Sequence, residues 1–158
     1  MLKIIIIIIG IALVLFLAQR TLANKKGASE NMQKGIEFMT ANKEQEGVQT
    51  TASGLQYLVL TEGTGTEHPG PTDMVKVHYH GTLIDGAVFD SSVDRGEPIG
   101  FALNQVIPGW TEGLQLMVVG EKTRLFIPSN LAYGNRNMGI IGPGSTLIFD
   151  VELLGINE

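Results

Sequence analysis

The chain of 158 residues contains no cysteine, which excludes disulfides, thiolate zinc sites and thiol nucleophiles and leaves the redox compartment open. Charge is sparse as well. Lys and Arg number 11 against 16 Asp and Glu, for a formal net charge of −5. No basic run is long enough to track a phosphate backbone, so nucleic acid is not an expected partner. No glycine-rich loop follows a strand and opens a helix, so no phosphate cradle is indicated and no cofactor is implied. His68, His78 and His80 include a His-x-His pair but no third ligand nearby. A metal site needs ligand number and geometry, and none is expected here. Ser91 and Ser92 follow Asp90 without a suitably placed histidine base and read as turn residues. No internal repeat is visible. A core drawn from about 100 residues is still enough for one domain to fold without staples.

What the chain does have begins at the N-terminus. Every residue from Ile4 to Ala18 is apolar. As a helix this run reaches about 22 Å, short of a roughly 30 Å hydrocarbon core. Leu2 and Thr21-Leu22-Ala23 lengthen the span, with Lys3 and Arg20 snorkelling outwards. A membrane anchor over residues 1–23 is the preferred reading. A cleaved signal peptide with a small-x-small site at Thr21-Leu22-Ala23 is the competitor. A buried core helix fits poorly, because the run has no polar face. Lys3 lies on one side of the run and Arg20, Lys25 and Lys26 on the other. The positive-inside rule therefore leans only weakly towards a cytoplasmic C-terminal domain.

Residues 24–52 form a polar linker. Met32, Ile36 and Met39, with Phe38 beside them, predict a short amphipathic helix ending near Gly47. The narrow stripe favours a spacer over a dimerisation face. From Gly54 the pattern turns to strands. Leu55 to Leu60 is β-rich, and Val75, Val77 and Tyr79 alternate with Lys76, His78 and His80. Strands follow at Val88 to Asp90, Gly100 to Leu103, Thr123 to Ile127 and Thr146 to Leu154. Between them Pro108, Trp110, Leu114 and Met117 mark one helix that ends at Gly120. Several antiparallel strands around one helix make residues 53–158 an α+β domain.

No catalytic triad, dyad or metal cluster emerges. What remains is a set of aromatic and aliphatic residues near strand ends and beside the helix, which composition alone assigns to the core. The loop Asn130 to Gly144 is the exception. It is rich in Gly and Asn, yet it carries Tyr133, Ile140 and Ile141, for which a solvated loop has little use.

Five stretches carry a resemblance. They are Val77-His78-Tyr79-His80-Gly81, Val88-Phe89-Asp90-Ser91-Ser92, Gln105-Val106-Ile107-Pro108-Gly109-Trp110, Leu131-Ala132-Tyr133-Gly134 and Leu147 to Leu154. In order and spacing they resemble FKBP-type peptidyl-prolyl cis/trans isomerases. Upstream, Phe38-Met39, Asn42, Gly47-Val48 and Ser53-Gly54-Leu55-Gln56-Tyr57 resemble the junction in bacterial members of the macrophage infectivity potentiator type. The N-terminal dimerisation module of those members is replaced here by the hydrophobic run, so a monomer is expected.

The resemblance implies an antiparallel half-barrel sheet wrapped around one short helix, preceded by the hydrophobic helix and the linker helix. It implies a shallow apolar pocket with Tyr79, Asp90, Tyr133 and Phe149 in catalytic positions. Phe89, Phe101, Val106, Ile107, Trp110 and Ile140 would bind substrate, with Trp110 as the floor under the proline ring. Proline-containing unfolded or nascent polypeptides are the implied partners, and macrolide inhibitors are implied ligands. Residues 4–18 would contact the membrane. By analogy the domain faces the periplasm from the inner membrane, or is soluble there if the segment is cleaved. Asp90 either polarises the twisted carbonyl or, the preferred reading, bonds Tyr79 and keeps the pocket rigid. Ile99 stands where an aromatic is common, which implies a wider pocket on that side. The loop 135–139 is short and lacks histidine. A proline-binding module or holdase with little dependence on turnover is the alternative.

Overall fold

The computed structural model describes residues 2–158. The apolar run and the polar segment are not two helices but one, α1, Leu2–Asn42, 41 residues long. No proline precedes Pro69, and the residues joining the two segments, Gln19 to Lys26, are mostly good helix formers, so nothing interrupts the hydrogen-bond ladder. The helix stops five positions short of Gly47. Beyond Asn42 the chain turns through tight bonds from Glu44 N–H to Ala41 and from Gln45 N–H to Asn42, and Gly47 takes a φ of 83°.

The two halves of α1 differ in what covers them. From Ile4 to Leu22 the large apolar side chains are exposed, and α1 is long and apolar enough to cross a membrane. Thr21 satisfies its hydroxyl within the helix by donating to the Leu17 carbonyl at 2.9 Å. The second half lies on the folded domain. Its contact face is Ala28, Asn31, Gly35, Phe38 and Asn42, at spacings of three and four that share one helix face. Ala28 is buried. The Phe38 ring stands 6.0 Å from that of Phe126, and Asn42 Nδ2 donates to Gln56 Oε1 at 2.8 Å. Gln56 Nε2 in turn donates to the Met39 carbonyl at 2.9 Å. Of the expected stripe Met32, Ile36 and Met39, the first two remain exposed and Met39 is half-buried.

The domain is an antiparallel sheet of seven strands. These are β1 Gln49–Thr50, β2 Gln56–Thr61, β3 Met74–Leu83, β4 Val88–Ser91, β5 Ile99–Ala102, β6 Lys122–Ile127 and β7 Leu147–Ile156. Their order is β1-β2-β6-β7-β3-β4. Strand β5 pairs with Met74 to Val77 of β3, on the same edge where β4 pairs with His80 to Thr82. The period-two pattern of β3 and β7 sets what faces inward: Val75, Val77 and Tyr79 from one, Leu147, Phe149, Val151 and Leu153 from the other.

A short helix α2, Ser92–Arg95, follows β4 directly. It is capped by the Ser91 side chain, which accepts from Asp94 N–H, and it ends at Gly96 with φ 76°. The helix α3, Pro108–Leu114, crosses the inner face of the sheet. It is shorter than expected, because its last turn tightens into bonds from Leu116 to Gly113 and from Met117 to Leu114. Met117 is nevertheless fully buried. Two glycines let α3 approach β6. A β-carbon on Gly109 would stand 2.5 Å from Ile127 Cγ2, and one on Gly113 would stand 2.9 Å from Leu125 Cδ1.

Candidate active site

Where α3, the inner face of the sheet and the loop from Pro128 to Thr146 meet, they enclose an open cavity of about 1110 Å³. Each element supplies a wall. Tyr79 comes from β3, Phe89 and Asp90 from β4, Phe101 from β5, Val106 and Ile107 from the approach to α3, Trp110 from α3 itself, Tyr133 from the loop and Phe149 from β7. Trp110, only 4% exposed, is the hub. Its ring meets those of Tyr79 and Phe149 edge to face at 5.2 Å and that of Phe101 at 5.5 Å. Phe89 extends the box by meeting Phe149 edge to face at 5.2 Å. Gly81 sits behind both phenylalanines. A β-carbon there would lie 2.7 Å from Phe89 Cζ and 2.9 Å from Phe149 Cε1, so only glycine leaves the two rings where they are.

Two polar groups of the cavity wall, Tyr79 and Asp90, are occupied by each other and by Arg95. Tyr79 Oη donates to Asp90 Oδ2 at 2.5 Å. Arg95 Nη1 donates to Asp90 Oδ1, and Arg95 Nη2 donates to Tyr79 Oη at 3.1 Å. The guanidinium also lies over the Tyr79 ring, 5.8 Å from its centroid. Burial pushes the Asp90 pKa up, but hydrogen bonds from Tyr79 and Arg95 outweigh it and hold the carboxyl below its ordinary range. Burial, reinforced by the Asp90 hydrogen bond, raises the Tyr79 phenol. The Tyr133 hydroxyl has no hydrogen-bond partner among the described residues and is open to a ligand.

Of the residues assigned to catalysis or substrate binding from the sequence, Ile140 is the one outside the lining. It is 55% exposed, while Ile141 is 7% exposed and lines the cavity with Met138. The cause is a tight turn in which Met138 N–H donates to the Ile141 carbonyl at 2.9 Å. Gly139 takes φ 70° there, which turns residue 141 inward and residue 140 out. Ile99 also stands outside the lining, on β5 opposite Val77. Sequence reasoning missed Arg95, whose only local signal is its place one turn after Asp90 on a capped helix. His78 and His80 are not simply solvated. Their Nδ1 atoms pair with Ser92 Oγ at 2.6 Å and Ser91 Oγ at 2.8 Å.

Comparison with known proteins agrees with this geometry. The family model for FKBP-type peptidyl-prolyl cis-trans isomerase matches residues 65–154. That for the domain amino terminal to FKBP-type peptidyl-prolyl isomerase matches residues 11–59, so the second match begins inside the apolar run. The FKBP-type isomerase FkpA of Aeromonas hydrophila is 60% identical over 84% of this chain and 49% of its own length. The outer membrane protein MIP of Legionella longbeachae is 48% identical over 90% of this chain and 61% of its own length. The chain thus spans about half to three-fifths of these two relatives. The crystal structure of FkpA from Escherichia coli superposes with a TM-score of 0.87 at 45% identity, covering 94% of this chain and 71% of that one. A half-barrel closed over a short helix, an aromatic box around one tryptophan and a family match over residues 65–154 that spans the cavity wall lead to one conclusion: the chain belongs to the FKBP-type peptidyl-prolyl cis-trans isomerase family.

Proposed function

We propose that this chain catalyses cis/trans isomerisation of X-Pro peptide bonds in unfolded or newly exported polypeptides. The observation that carries this reading is the aromatic box, whose nearest polar side chains, Tyr79, Asp90 and Arg95, bond one another.

Amide resonance maintains a barrier of roughly 18–20 kcal/mol to rotation about the peptide bond. The twisted transition state has lost that resonance and its carbonyl is less polar. A water-poor apolar pocket therefore favours it over the planar ground state. Trp110 forms the floor for the proline ring, Phe89 and Phe149 the walls, and Val106 and Ile107 the edge beside α3. Tyr133 donates its free hydroxyl to a substrate carbonyl and orients the chain. Tyr79 and Asp90 act mainly by holding the box rigid. No proton needs to leave the substrate and no covalent bond forms, so the site requires no nucleophile. A ring-shaped macrolide presenting a proline-like group fits the same cavity as an inhibitor. In a refolding assay limited by prolyl isomerisation, the slow phase of the protein substrate accelerates in proportion to added chain. A slow phase that does not change refutes the reading.

The exposed half of α1 supports attachment to a membrane. Residues 2–23 rise about 33 Å as one helix, enough to cross a hydrocarbon core of roughly 30 Å. The likeness to an outer membrane protein supports placing the catalytic domain on the exported side. The chain is expected to sediment with membranes and to resist a high-salt wash, because apolar insertion is not screened by ions. A chain lacking residues 2–23 is expected in the supernatant. A mature form whose intact mass starts near Asn24 rules out the tether.

A further inference from the structure

The loop that carries Tyr133 and Ile141 does not stand alone. Its two legs are joined where Gly144 N–H donates to the Gly134 carbonyl at 2.8 Å, next to Tyr133. The returning leg is folded on itself by Ser145 Oγ, which donates to the Gly142 carbonyl at 2.7 Å. That leg leans against α1. Asn31 Nδ2 donates to the Pro143 carbonyl at 2.9 Å, across 112 positions of sequence. The approach is close on either side of this bond. A β-carbon on Gly144 would stand 2.5 Å from the Ala28 carbonyl oxygen, and one on Gly142 would stand 3.0 Å from Asn31 Nδ2.

We propose that Asn31 is a positioning residue for the pocket. By holding Pro143 against α1 it fixes the returning leg, and through Gly144 and Gly134 it sets where Tyr133 and Ile141 close the cavity. The two hydrogen bonds from Asn31 to Pro143 and from Gly144 to Gly134 make a short route from the helix to the loop. The inference rests on reading the cavity as the proline site. It adds that the catalytic domain is completed by the helix that precedes it, so the pocket is not built from residues 53–158 alone.

The test uses the full chain in detergent with a Leu-Pro peptide, comparing wild type, Asn31→Ala and Asn31→Asp. Loss of one hydrogen bond loosens the loop and raises KM about two- to tenfold, with kcat changed less. Asn31→Asp is expected to be worse than Asn31→Ala, because its carboxylate faces the Pro143 carbonyl and two acceptors repel. Lys34→Ala, a change at an exposed residue on the same helix, leaves KM unchanged. If the wild type turns over and both Asn31 variants keep its KM while folded, the positioning role is overturned and the isomerase reading survives, even if their melting temperatures fall. If the wild type itself shows no turnover, the isomerase reading fails and the positioning role goes with it.

Discussion

Trp110→Ala lowers the cis-to-trans rate of a Leu-Pro peptide to the uncatalysed background and reduces the unfolding free energy by about 3–5 kcal/mol. Both effects come from one side chain. Trp110 is 4% exposed and contacts Tyr79, Phe101 and Phe149 edge to face, so its removal leaves a cavity where three rings lose their common partner. Such edge-to-face pairs add about 0.5–1.5 kcal/mol each beyond the area they bury. Trp110→Phe separates the two effects. It retains a flat apolar floor and deletes an indole N–H that has no hydrogen-bond partner among the described residues. Its stability loss is therefore smaller, and part of the turnover persists. Measurements are made where each variant is folded, by comparing kcat/KM with thermal unfolding. If Trp110→Ala stays folded and turns over like the wild type, the indole is not the floor of the site.

Asp90→Ala is expected to lower kcat/KM about tenfold, equivalent to roughly 1.4 kcal/mol of transition-state stabilisation. Removing the carboxylate deprives the Tyr79 hydroxyl of its acceptor and leaves the Arg95 cation without its partner beside an apolar wall. Asp90→Asn tells the two possible roles apart. Its amide oxygen still accepts from Tyr79 or Arg95, so a positioning role leaves it within about threefold of wild type, since a neutral hydrogen bond is worth about 0.5–1.5 kcal/mol. If Asp90 polarises the twisted carbonyl directly, Asp90→Asn is as slow as Asp90→Ala.

The pH dependence follows from the same network. The folded-state pKa of Asp90 is depressed, so the stability its charge contributes is present above the ordinary carboxylate pKa and is lost as pH falls through the lower folded value. The side chain is partly exposed, which limits that contribution to about 1 kcal/mol or less. The Tyr79 phenol moves the other way, upward. Neither group titrates near neutrality, and kcat/KM is expected to be flat from about pH 5 to 9.

The sheet and most of the pocket wall were legible in the sequence because β3 and β7 alternate cleanly and because the five family motifs keep their order. The features that escaped each have a physical reason. Docking of α1 uses one large apolar side chain, Phe38, beside Ala28, Asn31, Gly35 and Asn42, small or polar residues that carry little hydrophobic signal, while the apolar Met32 and Ile36 stay exposed. Continuity of α1 was hidden by the change in composition at Asn24, although helix formation depends on the absence of breakers rather than on polarity. Ile140 and Ile141 are chemically alike, and only the turn at Gly139 decides which faces in. Arg95 lies on a helix of four residues, too short to show any periodicity, so its pairing with Asp90 became visible only in three dimensions.

The most direct test of an apolar, uncharged route to isomerisation is the cis-to-trans exchange rate of a Leu-Pro peptide, read by NMR against the concentration of detergent-solubilised chain. A rate that rises linearly with chain concentration, stays the same from about pH 5 to 9 and is abolished by a proline-mimicking pocket ligand is the predicted result. A rate equal to that of the peptide alone contradicts it. So does one that follows the titration of a single group through neutrality.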